Sequence, residues 1–219
     1  MVSGEVRLRP LEWYFGQGLA VEGRYDMPVI EPQDVDLEDL ALVRFTSIDD
    51  DDAQAGALTV HFFEEDGRFD QVWYRPEEQV ERLRAYGQVL SPDFSLYTDR
   101  PVAEQFVNTY RNRWCGAFWQ RAGLTVIPTV SWSDGASFDF CFDGLVEGAV
   151  VALATVGVRD RPQGFMRGFG ELVRLVKPAA VVCYGTPFEE IAELVPVVEV
   201  PYLRNAKVAV RVPGGPGGG

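Results

Sequence analysis

Only one histidine, His61, and three cysteines occur among the 219 residues. That scarcity excludes a good deal of chemistry. Zinc sites of the usual kind need clustered cysteine or histidine ligands, and a Ser/His or Cys/His nucleophile needs a histidine free to reach it. His61 sits in "LTVHFF", a stretch that reads as a buried strand, which favours a packed imidazole over a catalytic one. Cys115, Cys141 and Cys183 are odd in number, far apart and set in apolar runs. Packed thiols in a reducing compartment fit that pattern better than disulfides do. No uninterrupted run of about 18 apolar residues is available to cross a membrane, and "MVSGEVRLRPLEWYFG" lacks the basic start and apolar centre of a secretory signal. The expected location is the cytoplasm.

Cations are scarce as well. Twenty Lys and Arg stand against 33 Asp and Glu, a net charge of −13, so the whole-molecule field disfavours duplex DNA and anionic membranes as nonspecific partners. The excess concentrates between Glu31 and Asp52, where Asp34, Asp36, Glu38, Asp39 and the run Asp49 to Asp52 face Arg44 as their only cation. Nucleic-acid mimicry and Ca²⁺ binding are conceivable uses of such a run. A solvated acidic loop is the plainer reading, because the Gly and terminal Glu of an EF-hand loop are missing. No Walker loop, G-x-G-x-x-G, H-E-x-x-H or kinase signature is present. If the chain is an enzyme, carboxylates, tyrosine, lysine or an oxygen-held metal such as Mg²⁺ must carry its chemistry, and zinc is not expected.

A hydrophobic fraction of 47% is enough for a substantial single core. Short apolar runs predict strands at Ala41 to Phe45, Leu58 to Phe62, Gln88 to Leu90, Thr125 to Val130, Ala149 to Thr155, Ala179 to Tyr184 and Val197 to Val200. Helical spacing predicts helices at Pro76 to Ala85, Pro101 to Arg121, Gln163 to Val176 and near Glu189 to Leu194. In the second of these, Val102, Phe106, Tyr110, Trp114 and Phe118 form a stripe expected to pin the helix to a sheet. "TPFEE" reads as a capping box opened by Thr186. The alternation of strand and helix implies an α/β fold with a mostly parallel sheet, open or partial-barrel-like, around one core. Residues 1–40 are expected to pack on that core, 41–203 to form the α/β domain, and 204–219 to trail as a flexible tail.

In parallel α/β folds the loops leaving the carboxyl ends of the strands converge on one rim, where ligands bind. That rule turns topology into a list of residues. Asp93, in "VLSPDFSLYTD", sits where a functional carboxylate would, with Asp134 and Asp143 as further catalytic carboxylates. Tyr97, Asp99, Arg113, Trp132 and Tyr184 are the ligand-binding candidates: rings to stack a base or sugar, and a guanidinium to meet an anion. Each has a structural alternative. Asp99 could cap the following helix, "SFDFCFDG" looks like a short strand ending in an Asp143-Gly144 turn, Trp132 could plug the end of the sheet, and Arg111 and Arg113 fall on different flanks of their helix.

The stretches "HFFEEDGRFDQVW", "VLSPDFSLYTDRP", "NTYRNRW", "IPTVSWSD", "FDFCFDG" and "CYGTPFEE" resemble an uncharacterised family of bacteriophages, plasmids and other mobile elements, domain of unknown function 4417, over roughly residues 40 to 200. The family pattern often reads "TDMP" where this chain has Thr98-Asp99-Arg100-Pro101. The resemblance implies a mobile-element protein in the cytoplasm of a bacterial host and no particular reaction. Three functions stay open. One is a carboxylate hydrolase acting on a nucleotide or a glycosidic bond, another a nucleotide- or small-molecule-binding module. The third is a phage interaction protein whose acidic face engages a host protein.

Overall fold

Apolar strands short enough to be covered on both faces alternate with helices that carry one apolar side, and the chain winds accordingly. A computed structural model describes residues 9–49, 52–204 and 206–212. A short helix α1 (Leu11–Phe15) and a hairpin of β1 (Val21–Glu22) and β2 (Met27–Pro28) precede the main array. β3 (Ala41–Arg44) and β4 (Thr59–His61) follow, then α2 (Gln71–Tyr74) and α3 (Pro76–Leu83), where Pro76 opens the helix and Glu77 and Glu78 favour its positive end. β5 (Gln88–Leu90), α4 (Val102–Arg121) and β6 (Val126–Ile127) form the next unit. β7 (Val150–Ala154), α5 (Pro162–Val176), β8 (Ala180–Tyr184), α6 (Glu189–Leu194) and β9 (Val197–Val200) complete the alternation.

Strands β3, β4, β5 and β6 are parallel neighbours, and β7, β8 and β9 form a second parallel sheet. The stretch 204–219, expected to trail, instead supplies β10 (Val208–Val210), antiparallel to β3; residues 213–219 lie outside the described residues. Val208, Ala209 and Val210 have the branched and small side chains an edge strand accepts, and their three-residue length is too short for a pattern search to register. The two sheets meet twice without a continuous ladder. On one side Thr129 bridges Ala152, with Val130 N donating to Ala152 O at 2.8 Å; on the other, Val212 N donates to Glu199 O at 2.9 Å. The wall is a partial barrel, not a closed one.

Strand alternation sorts the core into layers. Leu42, Leu90, Ile127, Ala152, Val182, Tyr184, Val200 and Ala209 pack together on the concave side of the wall. Their neighbours in sequence, Val43, Val60, Val89 and Val126 on the first sheet and Val151, Val181 and Cys183 on the second, pack outward into two clusters beneath the helices.

Two local expectations are overturned. The alternating "SFDFCFDG" is not a strand: it forms a 3-10 turn at Ser137–Asp139 followed by local backbone bonds, Cys141 N to Ser137 O at 2.9 Å and Asp143 N to Phe140 O at 3.1 Å. Phe140 and Phe142 are still buried, so the alternation reflects apolar side chains buried by a turn and not by a strand ladder. Thr186 makes no capping box either. Phe188 is the N-cap of α6 with no side-chain bond, and the Thr186 carbonyl instead accepts Thr155 Oγ1 at 2.8 Å.

Candidate functional site

The helix α4 decides what lies at the carboxyl ends of β5 and β6. Its apolar stripe was expected against the sheet. Trp114 and Phe118 turn instead toward the N-terminal segment, where Trp13 stands 5.7 Å from Trp114 and Tyr14 5.0 Å from it, and Val102 is exposed. The face presented to the strand ends is polar: Gln105, Asn108, Thr109, Asn112 and Arg113 are all buried. Buried polar groups must find partners there, and most do. Asn112 Nδ2 donates to Pro92 O at 2.8 Å and Thr129 O at 3.2 Å, while its Oδ1 accepts from Ser91 Oγ at 2.9 Å. Thr129 N donates to Ser91 Oγ, and Thr129 Oγ1 to Ser91 O, both at 2.7 Å, which ties β5 to β6 just beyond their last ladder pair.

Arg113 is fully enclosed in this network. Its Nε donates to Asp143 O at 2.8 Å, Nη1 to Asn112 Oδ1 at 2.7 Å and Thr129 O at 3.0 Å, and Nη2 to Cys141 O at 2.7 Å. Gly144 makes room for its stem: it adopts a left-handed φ of 76°, and a Cβ there would collide with Pro28 O and press on Arg113 Cδ. Burial lowers the Arg113 pKa to about 10, and Cys141, Asp143, Glu22 and Asp93 act against that. With every nitrogen committed to the protein itself, this guanidinium clamps the 141–144 turn to α4.

Asp93 lies on the same side. Alternation past Leu90 sends Ser91 and Asp93 toward α4, away from the concave face. Its Oδ1 is shielded from solvent and has no hydrogen-bond partner. Burial, and then the nearby Asp66 carboxylate, push its pKa up from 3.8 to about 7, against the opposing effects of a Ser131 hydrogen bond and the Arg113 charge. Asp66 accepts from both the N (3.1 Å) and the Oγ (2.8 Å) of Ser95. Asn108 Nδ2 donates to Ser95 O at 2.8 Å, and Gln105 Nε2 to Tyr97 O at 2.9 Å and Arg100 O at 3.1 Å. The segment 94–100 is therefore strapped down beside Asp93 by side chains from two elements. The crevice beneath it, lined by Phe94, Leu96, Thr109, Arg113, Ser131 and Cys141, is too narrow to take a water molecule.

The other candidates separate. Asp143 is half-buried beside Gly23, its pKa raised by burial, then by Glu22, and lowered by Arg113, so it borders the network through its backbone. Asp134 is exposed, and its Oδ1 accepts from Ala136 N at 3.0 Å to close a turn. Tyr97 and Asp99 are exposed, and no side chain caps the first turn of α4, so Asp99 does not serve as its cap. Trp132 packs on Phe165 at 5.0 Å and covers Gly168 of α5, where a Cβ would strike its indole. Tyr184 points into the concave face, stacked on Phe63 at 5.2 Å and near His61 at 4.8 Å. The carboxyl-end rim thus holds Asp93, Arg113 and the neighbouring Ser131 together, while Tyr184 and Trp132 occupy different layers. Asp66 is one of the residues that the strand-end rule sends to this rim, as "EEDGRF" leaves β4, but it is not among the catalytic and ligand-binding candidates of the sequence.

A cavity of about 290 Å³ lies at the opposite, amino-terminal ends of the strands, lined by Asp34, Asp36, Asp39, Thr59, Gln88 and Thr125 among others. Among the described residues no three carboxylate, histidine or cysteine side chains converge to hold a metal ion, and no helix is long and apolar enough to cross a membrane. Asp50 and Asp51 of the acidic run lie outside the described residues.

Comparison with known proteins places these features in a family. A "Gene 1 protein" of Mycobacterium phage L5 is 40% identical over 164 residues, 74% of this chain and 71% of that protein. A "Gene 1 protein" of Mycobacterium phage D29 is 46% identical over 133 residues, 59% of this chain and 48% of that protein. No solved structure matches the chain. The family model described as Domain of unknown function (DUF4417) matches residues 19–201, which spans β1 through β9 and every residue of the Asp93 network. The chain belongs to that family.

Proposed function

We propose that this protein of a phage family binds a small organic ligand at the carboxyl ends of β5 and β6, and that Asp93 exchanges a proton with it. One observation carries the reading. A carboxyl at a parallel strand end, with one oxygen shielded and unpartnered, holds its proton to about pH 7, where a general acid is most useful. Asp66 supplies a second carboxylate close enough to raise it. A pair of this kind, one protonated and one ionised, suits hydrolysis of a glycosidic or N-glycosidic bond: Asp93 protonates the departing group while Asp66 supports the positive sugar or activates water. Entry requires the 94–100 strap to move, and Tyr97 then flanks the opening.

The test is hydrolysis of nucleosides, nucleotides and aryl glycosides by wild type and Asp93→Asn, with folding checked by circular dichroism. The reading expects turnover that declines as pH rises through about 7 and is abolished in the variant. Saturable binding of the same compounds without turnover would make the site a nucleotide-binding module. The absence of both turnover and binding sinks the proposal.

A second reading is supported by the acidic cavity at the other end of the strands. Asp34, Asp36 and Asp39 line one concave surface there, which suits a basic segment of a host protein. Replacing all three with Asn should abolish capture of that host protein while leaving any Asp93-dependent activity intact.

A further inference from the structure

Two arginines stand two residues apart on α4 and are used in opposite ways. Arg113 spends every nitrogen on backbone carbonyls and Asn112. Arg111 makes one long bond, Nη1 to Asn108 Oδ1 at 3.4 Å, while its Nε and Nη2 are shielded from solvent and have no partner. Those two nitrogens form one edge of the guanidinium fork, the edge that grips a carboxylate or phosphate through two parallel N–H···O bonds. The guanidinium carbon lies 3.9 Å from the centre of the Phe94 ring, with the rings of Trp73 and Tyr74 at 5.6 Å and 5.8 Å. The contact with Phe94 occupies the ring and not the two nitrogens, which keep no hydrogen-bond partner. Trp73, Tyr74 and Arg111 are each only partly buried, so the fork lies just beneath the surface.

We propose that Arg111 is the receptor for a ligand oxyanion, a carboxylate or a phosphoryl group, seated against Trp73, Tyr74 and Phe94. A buried donor pair with no acceptor is costly, and an oxyanion supplies both acceptors in the geometry the fork requires. The aromatic walls keep water from competing and hold the guanidinium plane in place. In a chain of net charge −13, an anion gains nothing from the overall field, so such a site must act through local geometry. The site does not depend on Asp93 exchanging a proton.

The experiment observes the Arg111 Nε–H by nuclear magnetic resonance, assigned through the backbone of α4, while inorganic phosphate or acetate is added at constant ionic strength with chloride as the control. The expected result is a saturable downfield shift with phosphate, acetate or both. Phosphate alone identifies a phosphoryl ligand, acetate alone a carboxylate, and both a general oxyanion seat. Arg111→Lys keeps the charge but removes the fork and its reporter proton; followed by the backbone amide shifts of α4, which are recorded for wild type in the same titration, it should weaken the same binding by about tenfold. Asp93→Asn should leave the shift unchanged, which separates this site from the acid–base one. The proposal is overturned if neither anion shifts the signal, if chloride reproduces the shift, or if Arg111→Lys binds as well as wild type. Should that variant fail to fold, the wild-type titration decides alone.

Discussion

Asp93 ought to weaken the fold at neutral pH, and by an amount that can be measured. In the unfolded chain its carboxyl ionises near 3.8, whereas in the folded protein it keeps its proton to about 7. Between those values the folded state binds the extra proton, so stability is fully present below the unfolded pKa and is lost as pH rises, levelling off above the folded one. About three pKa units correspond to about 4 kcal/mol, an upper bound for a single group. Asp93→Asn places a neutral amide of nearly the same shape in the site and removes the titration. At pH 4 the variant should lie within about 1 kcal/mol of wild type, since in the folded protein both side chains are then neutral and the unfolded carboxyl has only begun to ionise. By pH 8 it should be the more stable protein, by up to about 4 kcal/mol. Urea unfolding of both proteins at several pH values gives the difference directly, and the groups that do not act on Asp93, His61 included, cancel from it. A flat difference from pH 4 to pH 8 refutes the reasoning, and so does a wild type that gains on the variant as pH rises. A residue that destabilises its own fold under working conditions is better explained by a task than by packing.

Other outcomes follow from the same packing. His61 is enclosed beside Tyr184, and burial, then the Arg44 charge, lower its pKa to about 3. Its ring resonances should therefore stay fixed from pH 8 to pH 5. The stability it confers is present above the unfolded value of 6.5 and falls as pH drops toward 3, so His61→Phe should flatten the acid limb of the unfolding curve. Arg113→Met strips the donors from Asp143 O and Cys141 O, while Thr129 O keeps Asn112 Nδ2. At about 1–3 kcal/mol for each orphaned acceptor it should cost several kcal/mol in urea unfolding, and a loss below about 1 kcal/mol would contradict the clamp. Gly168→Ala would gain up to about 1 kcal/mol of helix propensity but drives a Cβ into the Trp132 indole. A net loss of about 1–3 kcal/mol with a changed Trp near-ultraviolet signal is expected, and net stabilisation would show that the indole yields freely.

The strands were legible because each is a short apolar run between turn residues: Gln88–Leu90 and Val197–Val200, like the helix Glu189–Leu194, begin and end where pattern alone puts them. Strand direction followed from the helices between strands. What pattern could not supply was which partner an apolar face meets. On α4 the stripe through Trp114 and Phe118 is real, yet its partner is the aromatic group at Trp13 and Tyr14, not the sheet. A helix sandwiched between two layers buries two faces, and periodicity identifies the greasier one, not the one against the strands.

That misassignment is also why the candidate residues scattered. With the stripe turned away, Asn112 and Arg113 came to lie against the ends of β5 and β6, and the arginine best placed to meet an anion by topology was consumed by carbonyls. Arg111, on the other flank, kept its fork. The choice between them rests on about 200° of helix rotation over two residues, which composition cannot encode and a single packing contact fixes. The position of Asp93 at a strand end is legible because it depends on topology alone, whereas its orientation toward α4 depends on counting alternation through Pro92. If α4 were rotated to bring its apolar stripe onto the sheet, the buried polar network would lose its partners at the strand ends. The proton on Asp93 would then lose the dry surroundings that hold it.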